Sequence, residues 1–221
     1  MKNQPEIESG QTQGTDDQNE ERQYNWEERY TQPNSAPWDS GLPAPELEEH
    51  FASLGDKYPK FVLEIGCGTG TNAIWMANHG CAVTTTEIAP TAMQAAQKKA
   101  AEAKADISFH LIDICETTPV EESTQDFAFD RGVYHIIEKA KRNLFVERVA
   151  TALKPGALWL SISGCKDEYR ENPDVGPPQL SAIELLTPIE PHFAIIKLER
   201  TYFILDDGRK HLAWKALYQR R

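Results

Sequence analysis

Apolar and polar positions change their period several times along this chain, and each change marks an element. Residues 1 to about 22 carry Gln, Glu, Asp, Asn, Ser and Gly with almost no large apolar group. Burial there cannot offset the entropy of ordering, so the stretch reads as a disordered acidic tail. Trp26–Tyr30 reads as a short helix, followed by a Pro/Asn/Ser loop and Pro37-Trp38-Asp39-Ser40-Gly41. From Pro45 to Leu54 the residues Leu47, Phe51 and Leu54 recur at helical spacing.

Strand and helix then alternate. Phe61–Ile65 is a buried-type strand, Thr71–Asn78 a helix, Ala82–Thr86 a second strand, and an Ala-rich helix starts at Pro90. Proline suits a first helical turn because its missing N–H has no intrahelical partner there. Ile107–Ile112 and Asp126–Phe129 are the third and fourth strands. Arg142–Leu153 is a helix stopped by Lys154-Pro155-Gly156, and Ala157–Ser163 is the fifth strand. Ser181–Ile189 is a helix with Ser at or near its N-cap, and Phe193–Leu198 and His211–Tyr218 are late strands. The order predicts an α/β, doubly wound, mostly parallel sheet of seven strands. The last two, joined through Asp206-Asp207-Gly208, are expected as an antiparallel hairpin at one edge.

At 221 residues, 40% hydrophobic and 26% charged, the chain is ordinary in composition and can bury a core without disulfides. Three segments are expected: the tail at 1–22, an N-terminal segment with the first helix at 23–55, and the main domain at 56–221. The net charge of −11 leans against nucleic acid and anionic membranes, both of which need a basic surface. Cys67, Cys81, Cys115 and Cys165 lie far apart, without zinc-ligand spacing, so buried free thiols and no metal are expected. There is no signal-peptide run and no stretch near the ~18 apolar residues that span a bilayer. A cytoplasmic protein, monomeric or weakly dimeric, is the expectation.

Chemistry enters at Val62-Leu63-Glu64-Ile65-Gly66-Cys67-Gly68-Thr69-Gly70. A strand runs into three alternate glycines and then a helix, which lets backbone approach a ligand closely. The spacing is Gly-x-Gly-x-Gly; it is neither the dinucleotide Gly-x-Gly-x-x-Gly nor a phosphate loop with Gly-Lys-Ser/Thr. Glu64, just before the glycines, would repel a pyrophosphate and attract an ammonium. Glu87 ends the second strand, where open α/β sheets set an acid against ribose hydroxyls. Asp113 follows the third strand, placed to accept from an adenine amino group. All three acids sit at strand carboxyl ends.

These features resemble the class I S-adenosylmethionine-dependent methyltransferases. The resemblance implies that Glu64, Gly66, Gly68 and Gly70 form the cofactor loop, that Glu87 with Ile88 meets the ribose, and that Asp113 with Ile114 lies on the adenine side. Leu153-Lys154-Pro155-Gly156 is similar to the turn before that superfamily's fifth strand. Trp26-Glu27-Glu28-Arg29-Tyr30 with Pro37–Gly41 resembles the lid of thiopurine and halide/thiol methyltransferases, which makes 23–55 a lid segment. Phe129-Asp130-Arg131-Gly132 resembles the thiopurine enzymes, and Gly176-Pro177-Pro178 a loop of both groups. Val133-Tyr134-His135-Ile136 and the loop Lys166–Val175 follow neither group, and they are expected near the methyl acceptor.

The implied reaction is an in-line displacement at a sulfonium, needing position and water exclusion and no metal. Trp26, Trp38 and Tyr134 are the aromatic candidates for facing the positive sulfur, and the tryptophans are also candidates for simple lid packing. Arg131 is expected to pair with the cofactor carboxylate or stabilise an anionic acceptor; an ion pair with Asp130, Asp126 or Asp113 is its structural alternative. Arg131 and Tyr134 are thus the catalytic candidates, and His135 is open between base and structural residue. The expected function is methylation of a small molecule at sulfur, a thiol or thiopurine-like acceptor. Halide, metalloid, oxygen or nitrogen acceptors stand as alternatives, then a macromolecular substrate or a non-catalytic binder.

Overall fold

The computed structural model describes residues 24–32, 36–172 and 175–221. The expected tail therefore lies outside the described residues. Two short helices come first, α1 (Trp26–Thr31) and α2 (Pro45–Ser53). The alternating run is β1 (Phe61–Ile65), α3 (Thr71–Asn78), β2 (Ala82–Glu87), α4 (Pro90–Ala103), β3 (Ile107–Leu111) and β4 (Gln125–Arg131). It continues with α5 (Arg142–Ala152), β5 (Leu153–Gly164), α6 (Ala182–Leu186), β6 (Phe193–Ile204) and β7 (Lys210–Arg220).

The seven strands form one sheet in the order β3-β2-β1-β4-β5-β7-β6. Neighbours among β1 to β5 pair in parallel, and β7 runs antiparallel to both β5 and β6, as the edge hairpin requires. Strand order reverses between β1 and β4, which opens a crevice at their carboxyl ends.

Successive strand residues point to opposite faces, and each face carries its own core. Val62 packs with Leu47, Phe51, Ala73, Met76, Phe127 and Phe203 on one face. Leu63 and Ile65 pack with Phe145, Val149, Trp159, Leu185 and Tyr218 on the other. Because both faces are covered, β1 reads as a near-continuous apolar run.

Two expectations about boundaries are corrected. The Lys154-Pro155-Gly156 stop does end α5, but β5 starts at Leu153 and absorbs the turn as an irregularity opposite Gln125 and Phe127. Both late strands are longer than their apolar cores, because hairpin pairing carries β6 and β7 past them.

Helix α6 is short but well started. Ser181 Oγ accepts from the Glu184 N–H (3.2 Å), and the Glu184 carboxylate accepts from the Ser181 N–H (2.8 Å). This reciprocal capping satisfies two end donors. Ser181→Ala should lower stability by about 1 kcal/mol, read as an earlier urea midpoint with an unchanged slope.

Candidate active site

A cavity of about 1430 Å³ lies at the β1/β4 crevice. Its walls come from the glycine loop, the ends of β2, β3 and β4, the N-terminal segment, Gly176-Pro177-Pro178 and the β6–β7 turn. Typical single-ligand pockets hold roughly 300–1,000 Å³, so this one has room for two bound molecules.

The glycine loop forms one end. Gly66, Gly68 and Gly70 all have positive φ, at 67°, 54° and 83°, a region costly to residues with a Cβ. Space forbids a Cβ as well: at Gly66 it would lie 2.5 Å from Val133 Cγ2, and at Gly70 2.9 Å from Ala96 Cβ. Glu87 fixes this loop. Its carboxylate accepts from the N–H groups of Gly68 (2.9 Å), Ile88 (2.7 Å) and Ala89 (2.9 Å). Asp113 accepts from the Cys115 N–H (2.8 Å), and Glu87, Ile88, Asp113 and Ile114 all line the cavity.

Glu64 is placed differently from the expectation of a direct grip. It points to the α3 face, 2% exposed and off the cavity wall, against the Asn72 side chain and the Ala73 N–H. Asn72 also accepts from the Ala44 N–H (2.8 Å), so it ties the carboxyl to the chain entering α2. Burial raises the Glu64 carboxyl to about 8, and its Oε2 has no hydrogen-bond partner among the described residues.

The N-terminal segment is fastened over the glycine loop. Glu27 accepts from Thr91 N–H (2.9 Å) and Thr91 Oγ1 (2.5 Å) at the start of α4. Asp39 accepts from Thr69 Oγ1 (2.7 Å) and lies 3.8 Å from Lys99 Nζ. Across the cavity, the Asp206 N–H donates to Pro37 O (3.0 Å). Trp26 and Trp38 meet edge to face with centroids 5.8 Å apart, and both line the cavity. Tyr30, which the sequence reading passed over, sets its hydroxyl where a Gly68 Cβ would fall and accepts from Trp38 Nε1 (3.3 Å). Burial and Glu87 push that hydroxyl's pKa up.

At the other end, Arg131 lines the cavity with its guanidinium 5.0 Å from the Phe203 ring centroid. Its ion-pair partner is Glu46 of α2 (Nε to Oε2, 3.7 Å), not Asp130, Asp126 or Asp113. Glu46 is buried and also accepts from Thr201 Oγ1 (2.8 Å). Nothing in the sequence marks it beyond an ordinary acid in a helix's first turn. Asp130 faces the opposite core, accepting from Tyr134 N–H (3.0 Å) and Trp159 Nε1 (2.9 Å). Burial raises its carboxyl to about 6.

The expectation for Tyr134 is corrected. It is fully buried off the cavity, packed against Phe145 and Trp159, and its hydroxyl donates to Leu185 O (3.1 Å). The turn at Asp130 swings its side chain into the core, so it cannot face a sulfonium. His135 does line the cavity, but its Nδ1 accepts from the Gly164 N–H (2.7 Å). Burial, then Arg170 and Arg142, lowers its pKa to about 3, so at neutral pH it is an uncharged imidazole with its lone pair already used. Cys67 and Cys115 also line the cavity, and both are thiols. Burial and then Glu64 raise the pKa of Cys67, and burial and then Asp113 raise Cys115 to about 12.

The residues fit an adenosyl sulfonium. Glu87, Asp113 and the glycine-loop backbone line the cavity together with Trp26 and Trp38, and an unpartnered buried carboxyl oxygen belongs to Glu64, off the cavity wall. Residues 62–156 match the family described as methyltransferase domain.

A 2-heptyl-1-hydroxyquinolin-4(1H)-one methyltransferase from Mycobacteroides abscessus is 28% identical over 72% of this chain and 69% of its own. A probable thiol methyltransferase 2 from Arabidopsis thaliana is 30% identical over 67% of this chain and 65% of its own, so the chain spans about two thirds of these relatives. A solved structure described as converting a disulfide bond into a thioacetal group in echinomycin biosynthesis superposes with a TM-score of 0.71. That chain is 24% identical, covering 83% of this chain and 84% of its own. Among the described residues no helix is long and apolar enough to cross a membrane, and no cluster of three or more metal-ligating side chains occurs.

Glu64 offers a pH test. Its carboxyl ionises near 4.5 when exposed and near 8 when folded, so between those values the folded state holds the extra proton. Stability then falls as pH rises through that window and levels off above it. Denaturant midpoints of the wild type should lose ground to Glu64→Gln from about pH 5 to about pH 8, and a constant difference between the two would contradict the shift.

Proposed function

We propose that this chain methylates the sulfur of a small thiol or thiopurine-like molecule. The observation that carries this reading is Arg131, a partly buried guanidinium in the cavity wall, set between Glu46 and Phe203 away from the donor-side acids. A thiolate is the reactive form of a thiol, and a fixed positive charge lowers the free energy of that anion. Lysine would be a poorer substitute, because a planar guanidinium can stack on Phe203 while it pairs with Glu46. The similarity to a protein named as a probable thiol methyltransferase supports the same acceptor.

On the donor side, Glu87 and Ile88 are assigned to the ribose, Asp113 and Ile114 to the adenine, and the Gly66–Gly70 loop to the methionine portion. Trp26 and Trp38 supply aromatic faces for the sulfonium and close the cavity to water. Glu64 acts from behind the loop, through Asn72 and the start of α3. When bound, S-adenosylmethionine supplies an already activated methyl group, so the protein contributes alignment and exclusion of water. Four buried thiols suit a reducing, cytoplasmic setting.

A second acceptor, the oxygen of an N-hydroxylated aromatic heterocycle, is favoured by the hydroxyquinolone methyltransferase relative and the aromatic cavity wall. Release of S-adenosylhomocysteine should be measured across alkyl and aryl thiols, thiopurines, halides, tellurite, catechols and an N-hydroxyquinolone. Thiols or thiopurines should turn over fastest; turnover of oxygen acceptors alone would replace sulfur with oxygen.

Glu87→Gln should weaken S-adenosylhomocysteine binding by roughly tenfold or more in calorimetry, since a hydrogen bond to a charged group is worth about 1.5–3 kcal/mol. Its melting temperature should fall as well, because the carboxylate's three backbone N–H bonds lose their charge assistance, so binding is read at a temperature where the variant is folded. Arg131→Lys should slow thiol turnover while leaving that affinity in place, and a loss confined to affinity would move Arg131 to the donor side.

A further inference from the structure

The acceptor end of the cavity contains a second imidazole that neither motif nor spacing singled out. His211, on β7 and paired in register with Phe203, lines the cavity beside Gly176-Pro177-Pro178 and Arg209. Its Nδ1 lies 3.2 Å from Glu168 Oε1, which also accepts from the Leu212 N–H (3.2 Å). A carboxylate only accepts, so Nδ1 carries the hydrogen and Nε2 is the bare nitrogen of the neutral ring. That Nε2 is buried and has no hydrogen-bond partner among the described residues.

The pair is built into the loop over the acceptor end. Arg170 donates from Nε to Glu168 Oε2 (2.5 Å) and from Nη1 to Pro177 O (2.6 Å). Gln179 donates to Glu168 O (3.0 Å). Gly176 closes over the ring: a Cβ there would fall 2.9 Å from His211 Cε1 and 3.1 Å from the Arg170 guanidinium carbon. His135, in the same cavity, has the opposite arrangement, with Nδ1 accepting from backbone and its hydrogen on Nε2. One imidazole can therefore only give a hydrogen bond, and the other can take a proton.

We propose that His211, oriented by Glu168, is the group that accepts the proton of the methyl acceptor; this inference rests on the methyl-transfer reading above. The acceptor's X–H proton passes to His211 Nε2, and the electron pair left on X forms the new bond to the methyl carbon. The electrons of the broken carbon–sulfur bond stay on the donor's sulfur, which leaves as a neutral thioether. The imidazolium is then paired with Glu168. The charged and titratable groups around the ring are Glu168 and Arg170 on the loop, Asp206 and Arg209 in the β6–β7 turn, and Arg131 and His135 across the cavity. Such a base matters for acceptors that still hold a proton and is idle for those already anionic.

The test uses the full chain. Nitrogen-15 correlation spectra of the wild type should show His211 with hydrogen on Nδ1 and His135 with hydrogen on Nε2. Hydrogen on Nε2 of a neutral His211 would overturn the proposal without any variant. In turnover, His211→Gln should slow an alkyl thiol by about 10²-fold or more, the usual worth of a positioned base. It should slow an electron-poor aryl thiol, already a thiolate at neutral pH, far less. Glu168→Gln should follow the same pattern more weakly. An equal loss with both thiols would mark a packing role and overturn the proposal. Calorimetry separates the two readings: absence of S-adenosylhomocysteine binding by the wild type defeats methyl transfer itself, whereas normal binding with a uniform loss defeats the His211 role alone.

Discussion

One carboxylate holds the working end of this sheet together. Glu87, at the last position of β2, takes three backbone N–H groups, from Gly68 on the β1–α3 loop and from Ile88 and Ala89 at the approach to α4. The loop it holds has three residues at positive φ, a conformation with no local preference to sustain it. Charge-assisted bonds are the stronger kind, and two crossovers converge on this one. The loop's exposed backbone, the start of α3 and the start of α4 are thereby fixed relative to each other before any ligand arrives. The proposed donor contacts all depend on that frame.

The two ends of the cavity use charge in opposite ways. At the glycine-loop end, carboxylates at strand termini line the cavity and no lysine or arginine sits on the loop itself, which suits a cationic ligand without phosphates. At the other end, the partly buried guanidinium of Arg131 lies over Phe203 with one carboxylate at 3.7 Å, too long for a tight hydrogen bond.

The glycine-loop half of the cavity was legible in the sequence as local structure because its signals are local. Apolar runs, alternate glycines and acids at strand ends lie within one strand–loop–helix unit, and Thr71–Asn78 was readable to the residue. The acceptor half was not, because its contacts join segments far apart in the chain. Glu46 meets Arg131 only once α2 packs on β4's face, and His211 meets Glu168 only once β7 folds back beside β5. Tyr134 misled for a related reason: its direction is set by the short turn Tyr134–Ile136 and by Asp130 accepting from its N–H, neither visible as periodicity. The late strands ran past their apolar cores because the irregular step at Ile195–Lys197 and the exposed positions of β6 break simple alternation.

The two cysteines in the cavity wall bear on the protein's survival as a catalyst. Under the proposed function an alkylating donor would lie beside Cys67 and Cys115, which line the same cavity. Burial beside Glu64 and Asp113 keeps both sulfurs protonated and therefore unreactive. Burial, more than any neighbouring charge, is what keeps these two side chains in their inert form.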